Sequence, residues 1–164
     1  MKDAMTLLEM TLQQLIQNTE QIVTTKRHHI AHEVKFPTGF QALKLSDDEV
    51  VFQGKTNTGH QPKIRVDIDR IEGRGGVPVK LTTGEAIQMK TVNTWKQDVH
   101  VACNCEDFTF RFATVNSRAG VLLGNVTNTY VSKGKRRPEG PFEPSICKHI
   151  IRLGDILKDQ RIIR

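Results

Sequence analysis

Two short runs hold the residue types best suited to chemistry: CNCEDFTFRF at 103–112 and ICKHIIRL at 146–153. All three cysteines of the chain fall in them. Cys103 and Cys105 are one residue apart, and Cys147 stands one residue before His149. Thiolate and imidazole are the ligands zinc prefers, and a structural zinc site takes four of them in a tetrahedron. The spacing predicts a single zinc ion held by Cys103, Cys105, Cys147 and His149. A Cys-x-Cys pair on a strand sends both sulfurs to one face, about 7 Å apart by strand rise, so a small twist or bulge brings both to one ion. Within a helix, residues i and i+2 diverge. Cys147 and His149 therefore converge only if Cys147 lies in the lead-in or first turn of a helix. Ser145 is the expected N-cap, and the positive end of that helix favours a thiolate.

Four protein ligands leave no open position for an activated water, so the expected role of the metal is structural and the chain is expected not to be an enzyme. Neither His-Glu-x-x-His nor the deaminase pattern is present. Cys147 and His149 as nucleophile and base would have to face each other from one short segment, which is poor geometry. The competing reading of the four residues is three buried free cysteines and a hydrogen-bonded histidine. An odd cysteine count argues against a disulfide framework, and a Cys103–Cys105 bridge would be strained.

The surrounding chain is that of an ordinary globular protein, with 164 residues, 37% hydrophobic and 26% charged. No apolar run approaches the roughly 18–20 residues needed to cross a bilayer. The start, MKDAMTLLEMTLQQ, lacks the layout of a secretory signal, so synthesis in a reducing host cytoplasm is expected. The net charge of +6 suits an anionic partner such as nucleic acid, or serves solubility alone. The one dense cationic cluster is Lys133, Lys135, Arg136 and Arg137, in a Gly- and Pro-rich stretch that reads as an exposed loop. It is the candidate contact for an anionic partner, whether phosphate or an acidic protein surface.

The elements that must position these residues follow from periodicity. Residues 3–26 read as a helix on three- and four-residue apolar steps, and 1–33 as an N-terminal helix and linker that could meet a partner. Residues 34–164 read as a β-rich domain. KIRVDIDRI (63–71) alternates as a half-buried strand, and VPVKL (77–81) and AIQMKTVNTW (86–95) flank TTGE as a hairpin. DVHVACNC (98–105) and FTFRFATV (108–115) read as two further strands, with Phe108, Phe110 and Phe112 on one face as core. SICKHIIRLGDILKDQRIIR reads as a closing helix, in which Gly154 marks either close packing on the sheet or a weak point. The expected fold class is α+β: an N-terminal helix, a mostly antiparallel sheet, and a C-terminal helix tied to a β-hairpin by zinc.

Cys-x-Cys, a spacer, then Cys-x-His resembles the SWIM-type zinc finger, a β-hairpin followed by a helix. The matching residues are Cys103, Cys105, Cys147 and His149, within about residues 98–157. The spacer of 41 residues is longer than that family usually has. The resemblance implies binding of nucleic acid or protein. The run VACNCEDFTFRFATVN, a Pro-rich loop and CKHIIRL also resemble small zinc-finger proteins of tailed bacteriophages, some of them virion components. That second resemblance implies a structural subunit of a tail, baseplate or neck, present in the virion in multiple copies and contacting other virion proteins. A zinc-finger nucleic-acid-binding regulator is the alternative.

Overall fold

Apolar and polar residues alternate along four strands that pair into one antiparallel sheet. The computed structural model describes residues 10–21, 30–124 and 143–164. Strands β1 (Phe40–Ser46), β2 (Glu49–Gly54), β3 (Lys63–Asp67) and β6 (Val99–Ala102) lie in the order β1-β2-β3-β6. The register sets Ala42, Phe52, Ile64 and Val101 in one row across the sheet, and Val50, Val66 and Val99 in another. All seven are buried. The opposite face carries Leu43, Val51, Arg65 and His100 in register. Arg65 donates there to Glu49 and to Nδ1 of His100 (2.9 Å). The β6 edge is covered: Met10 accepts from Val99 N–H, Val121 accepts from Val101 N–H, and Val101 accepts from Leu123 N–H. That covering removes an exposed row of backbone donors and acceptors beside the cysteines.

Strands β4 (Val77–Lys80) and β5 (Ala86–Met89) form the expected hairpin across TTGE as a separate two-stranded sheet. Gly76 enters it with φ +73, and a Cβ there would lie 2.5 Å from the Met89 carbonyl oxygen. Only glycine fits both the conformation and the space.

Helix α1 spans Leu12–Glu20. Of the helix expected over 3–26, residues 3–9 and 22–26 lie outside the described residues, and the described part starts after Thr11, whose backbone is extended and which, with Gln14, closes a capping box. Its sequence signature was a Thr three residues before a Gln, inside an apolar pattern that periodicity alone joins together. Leu12 and Leu15 are buried in the same core as the sheet.

The largest departure is at 108–115. The expected strand is instead a π-helical turn (Phe108–Phe112) running into helix α2 (Ala113–Arg118). Phe108 and Phe112 are buried with their rings edge to face at 6.4 Å, while Phe110 is only half-buried. An apolar residue at every second position also places i and i+4 on one face of a helical turn, and here that pairing wins. The second strand of the expected hairpin is thus absent, and β6 pairs with β3 instead.

Helix α3 spans Lys148–Asp159. It stops short of the chain end because Arg161 takes φ +61, the left-handed conformation that ends helices. The last residues then run beside 92–94: Ile162 accepts from Val92 N–H, and Arg164 accepts from Thr94 N–H, both at 2.9 Å. Gly154 faces α1 rather than the sheet, with a Cβ position 3.4 Å from Leu12 Cδ2.

Candidate metal centre

Cys103, Cys105, Cys147 and His149 come together from two segments far apart in sequence. Their ligand atoms all lie within 4.8 Å of one another, and all four residues are buried. His149 Nδ1 is 3.8 Å from Cys103 Sγ. With a metal–sulfur bond of about 2.3 Å, tetrahedral thiolates stand about 3.8 Å apart, so slight contraction would complete the site. The donor set is three sulfurs and one imidazole nitrogen, and it can coordinate one metal ion.

Cys103 and Cys105 do not lie on a strand, as the sequence suggested. β6 ends at Ala102, and the pair occupies the turn that follows. A turn brings sulfurs at i and i+2 closer than the pleat of a strand allows. Three hydrogen bonds hold it. Asn104 Oδ1 accepts from Gln61 N–H at 2.7 Å, Cys105 carbonyl accepts from Thr109 N–H at 2.9 Å, and Cys105 Sγ accepts from Phe108 N–H at 3.3 Å. The last two come from the π-helical turn, so the helical conformation of 108–112 directly supports a ligand.

The second pair enters from an extended segment. The N-cap of α3 is Cys147 itself, with φ −82 and ψ 167, and not Ser145. An extended Cys147 before a helical His149 is the lead-in geometry that convergence requires. Ser145 is occupied otherwise. Its N–H donates to Asn116 Oδ1 at 3.0 Å, and its carbonyl accepts from Asn116 Nδ2 at 2.8 Å. Ile146 N–H donates to Thr19 Oγ1 at 3.0 Å, and Pro144 carbonyl accepts from Asn18 Nδ2 at 2.9 Å. Buried backbone without a strand partner must find its hydrogen bonds elsewhere. Side chains of α1 and α2 supply them and fix where Cys147 begins the helix.

The thiols crowd one another enough to perturb their protonation. Without a cation, Cys105 is held far below the ordinary thiol range, chiefly because the Cys103 thiol donates to it, with Cys147 second. Donating to Cys105 pushes Cys103 up to about 12, and burial pushes Cys147 up well above its ordinary value. The cluster therefore keeps one negative charge by itself. A bound divalent cation reverses this, because it favours the thiolate of every ligand.

One neighbour had no signal in the sequence. The His60 ring lies against that of His149, with centroids 4.6 Å apart and planes tilted by 43°. It sits in a Thr- and Gly-containing turn without a nearby cysteine, fixed by Thr56, which accepts from His60 N–H (3.0 Å) and donates its own N–H to the His60 carbonyl (2.8 Å). The cluster Lys133, Lys135, Arg136 and Arg137 lies outside the described residues. No helix among the described residues is long and apolar enough to cross a membrane. Comparison with protein-family models, with curated proteins and with solved structures finds no match.

Proposed function

We propose that the chain is a non-enzymatic structural subunit in which Cys103, Cys105, Cys147 and His149 hold one zinc ion. The observation that carries this reading is the buried, four-donor Cys3His cluster. Three thiolates and an imidazole suit zinc better than magnesium or calcium, which prefer oxygen. A closed set of four leaves no place for a substrate or activated water. The metal's work is mechanical: it ties the end of β6 to the start of α3.

The ligand order supports a SWIM-like finger. The long spacer between Cys105 and Cys147 is then an insertion with a job, because it contributes Asn116, which grips the segment leading to Cys147. The likeness of the two cysteine-bearing runs to small phage zinc-finger proteins supports a place in the tail, baseplate or head–tail connection of a tailed phage, with protein–protein contacts as the function. The net charge of +6 favours a second reading, a nucleic-acid-binding accessory protein.

Metal analysis of the purified chain should return one zinc per chain, and a zinc-free folded sample would sink the metal assignment. Sedimentation with assembled particles at moderate salt supports the structural role. Binding to a random DNA duplex that weakens steeply as salt rises would instead establish the second reading.

A further inference from the structure

A cleft of about 570 Å³ opens beside the metal cluster, and the Cys103 residue forms part of its wall. Gln61, Lys63, Asn104 and Thr109 supply its polar lining, and Leu122 and Leu123 are among its apolar lining. Among the described residues no carboxylate lines it. Among the described residues the Lys63 ammonium has no ion pair or hydrogen bond. Asn104 uses its oxygen to accept from Gln61 N–H, which leaves its amide nitrogen as a donor. The cleft thus offers a cation and neutral amides beside two aliphatic side chains, and no described residue of its lining carries a negative charge to balance the lysine.

We propose that this cleft docks an acidic, aliphatic segment of a partner protein. A carboxylate of that segment pairs with Lys63, its peptide groups meet the amides of Asn104 and Gln61, and an aliphatic side chain packs on Leu122 and Leu123. Nucleic acid is the poorer occupant. Among the described lining residues the one aromatic, Phe108, is buried and offers no face for a base to stack on. The single cation among the described lining residues is also little for a phosphate chain. The inference rests on the metal-centre reading in one respect. Asn104 stands between two ligands, so an ion that fixes the 103–105 turn also shapes the cleft, and metal and peptide must favour each other reciprocally.

The test is a titration of the isotope-labelled, zinc-loaded full chain followed by backbone amide shifts. The probes are the capped peptide Leu-Glu-Leu-Asp, its counterpart Leu-Lys-Leu-Lys, and a thymidine oligonucleotide. Saturable shifts at Lys63, Asn104, Leu122 and Leu123 with the acidic peptide alone are expected. Lys63→Glu should weaken that binding by roughly tenfold, the equivalent of about 1.4 kcal/mol, and Lys63→Arg should retain it. Equal binding of the basic peptide, shifts confined to other surfaces, or tighter binding of the oligonucleotide at the same residues would each overturn the proposal. Zinc content measured on the same samples separates the two claims. A zinc-loaded chain without these shifts ends the docking proposal alone, whereas a zinc-free folded chain that still binds the peptide at Lys63 ends the metal assignment alone.

Discussion

At the scale of single residues, the position of the second ligand pair depends on Asn116, which is not itself a candidate ligand. Asn116 is fully buried and returns two hydrogen bonds to one residue, Ser145, two positions before Cys147. Asn116→Leu keeps a similar volume but leaves a buried N–H and a buried carbonyl without partners. Each such group costs about 1–3 kcal/mol. The variant should lose roughly 2–4 kcal/mol in urea unfolding, with an unchanged denaturant slope if the native core stays compact. It should also bind metal more weakly, because the lead-in to Cys147 loses its anchor. Cys147→Ser acts differently. It removes a thiolate from the set, so metal is lost first and stability follows. Metal content measured beside the unfolding curve separates the two mechanisms: Asn116→Leu retains zinc when zinc is in excess, and Cys147→Ser does not.

At the scale of elements, two glycines make opposite predictions. Gly154 is helical, and a methyl group there meets Leu12 at ordinary contact distance. Gly154→Ala should stabilise α3 by about 0.5–1 kcal/mol through helix propensity. Gly76→Ala should destabilise by more than about 1 kcal/mol, because it forces a left-handed residue against the Met89 carbonyl. Thermal melts that moved both variants in one direction would contradict this account of the packing. The outer face of the sheet makes a pH prediction. Burial, and then the Arg65 charge, lower the His100 pKa below its ordinary 6.5. The folded state therefore binds fewer protons there than the unfolded chain does. The contribution is complete above 6.5 and declines as pH falls below it. His100→Gln should flatten that part of the stability profile and leave the neutral region little changed. Legibility varied at this scale for physical reasons. The Cys3His grouping, the β4–β5 hairpin and the α+β class could be read because residue type and period 2 are local signals. Phe108, Phe110 and Phe112 fit both a strand and a helical turn, and the helical turn is the one that pairs Phe108 with Phe112 in the core and lets Phe108 and Thr109 donate to Cys105. His60 and Asn116 had no local signal, since each acts on a residue 29 or more positions away.

At the scale of the whole molecule, a metal at the Cys3His cluster would add a tie between pieces that already share one core, which includes Val99 and Val101 of the sheet and Ile150, Leu153 and Leu157 of the last helix. β6 belongs to the sheet, whereas Cys147 and His149 belong to the start of α3, whose far end passes to residues beside 92–94. A ligand set drawn from both ends of a 41-residue spacer would make metal binding part of folding. In zinc-finger peptides that free energy is on the order of ten kcal/mol. Chelation of the native chain should therefore lower the melting temperature markedly, since each kcal/mol is worth about 2–4 °C at this chain length. The loss should not be uniform. Amide exchange should rise first in 103–109 and 144–153, where the ligands sit, while the β1–β2–β3 strands keep their protection. The opposite order, with the sheet opening before α3, would mean that the cation contributes little to holding the last helix in place. Alkaline pH gives an independent check on the same point. In the metal-free chain Cys103 stays protonated up to about 12. The stability this provides is complete below the ordinary thiol value of 9.0 and is lost as pH rises from there towards 12. The zinc-loaded chain already holds that sulfur as thiolate, so its stability should show no such alkaline decline. Parallel alkaline profiles for the two forms would mean that the Cys103 sulfur is not a ligand.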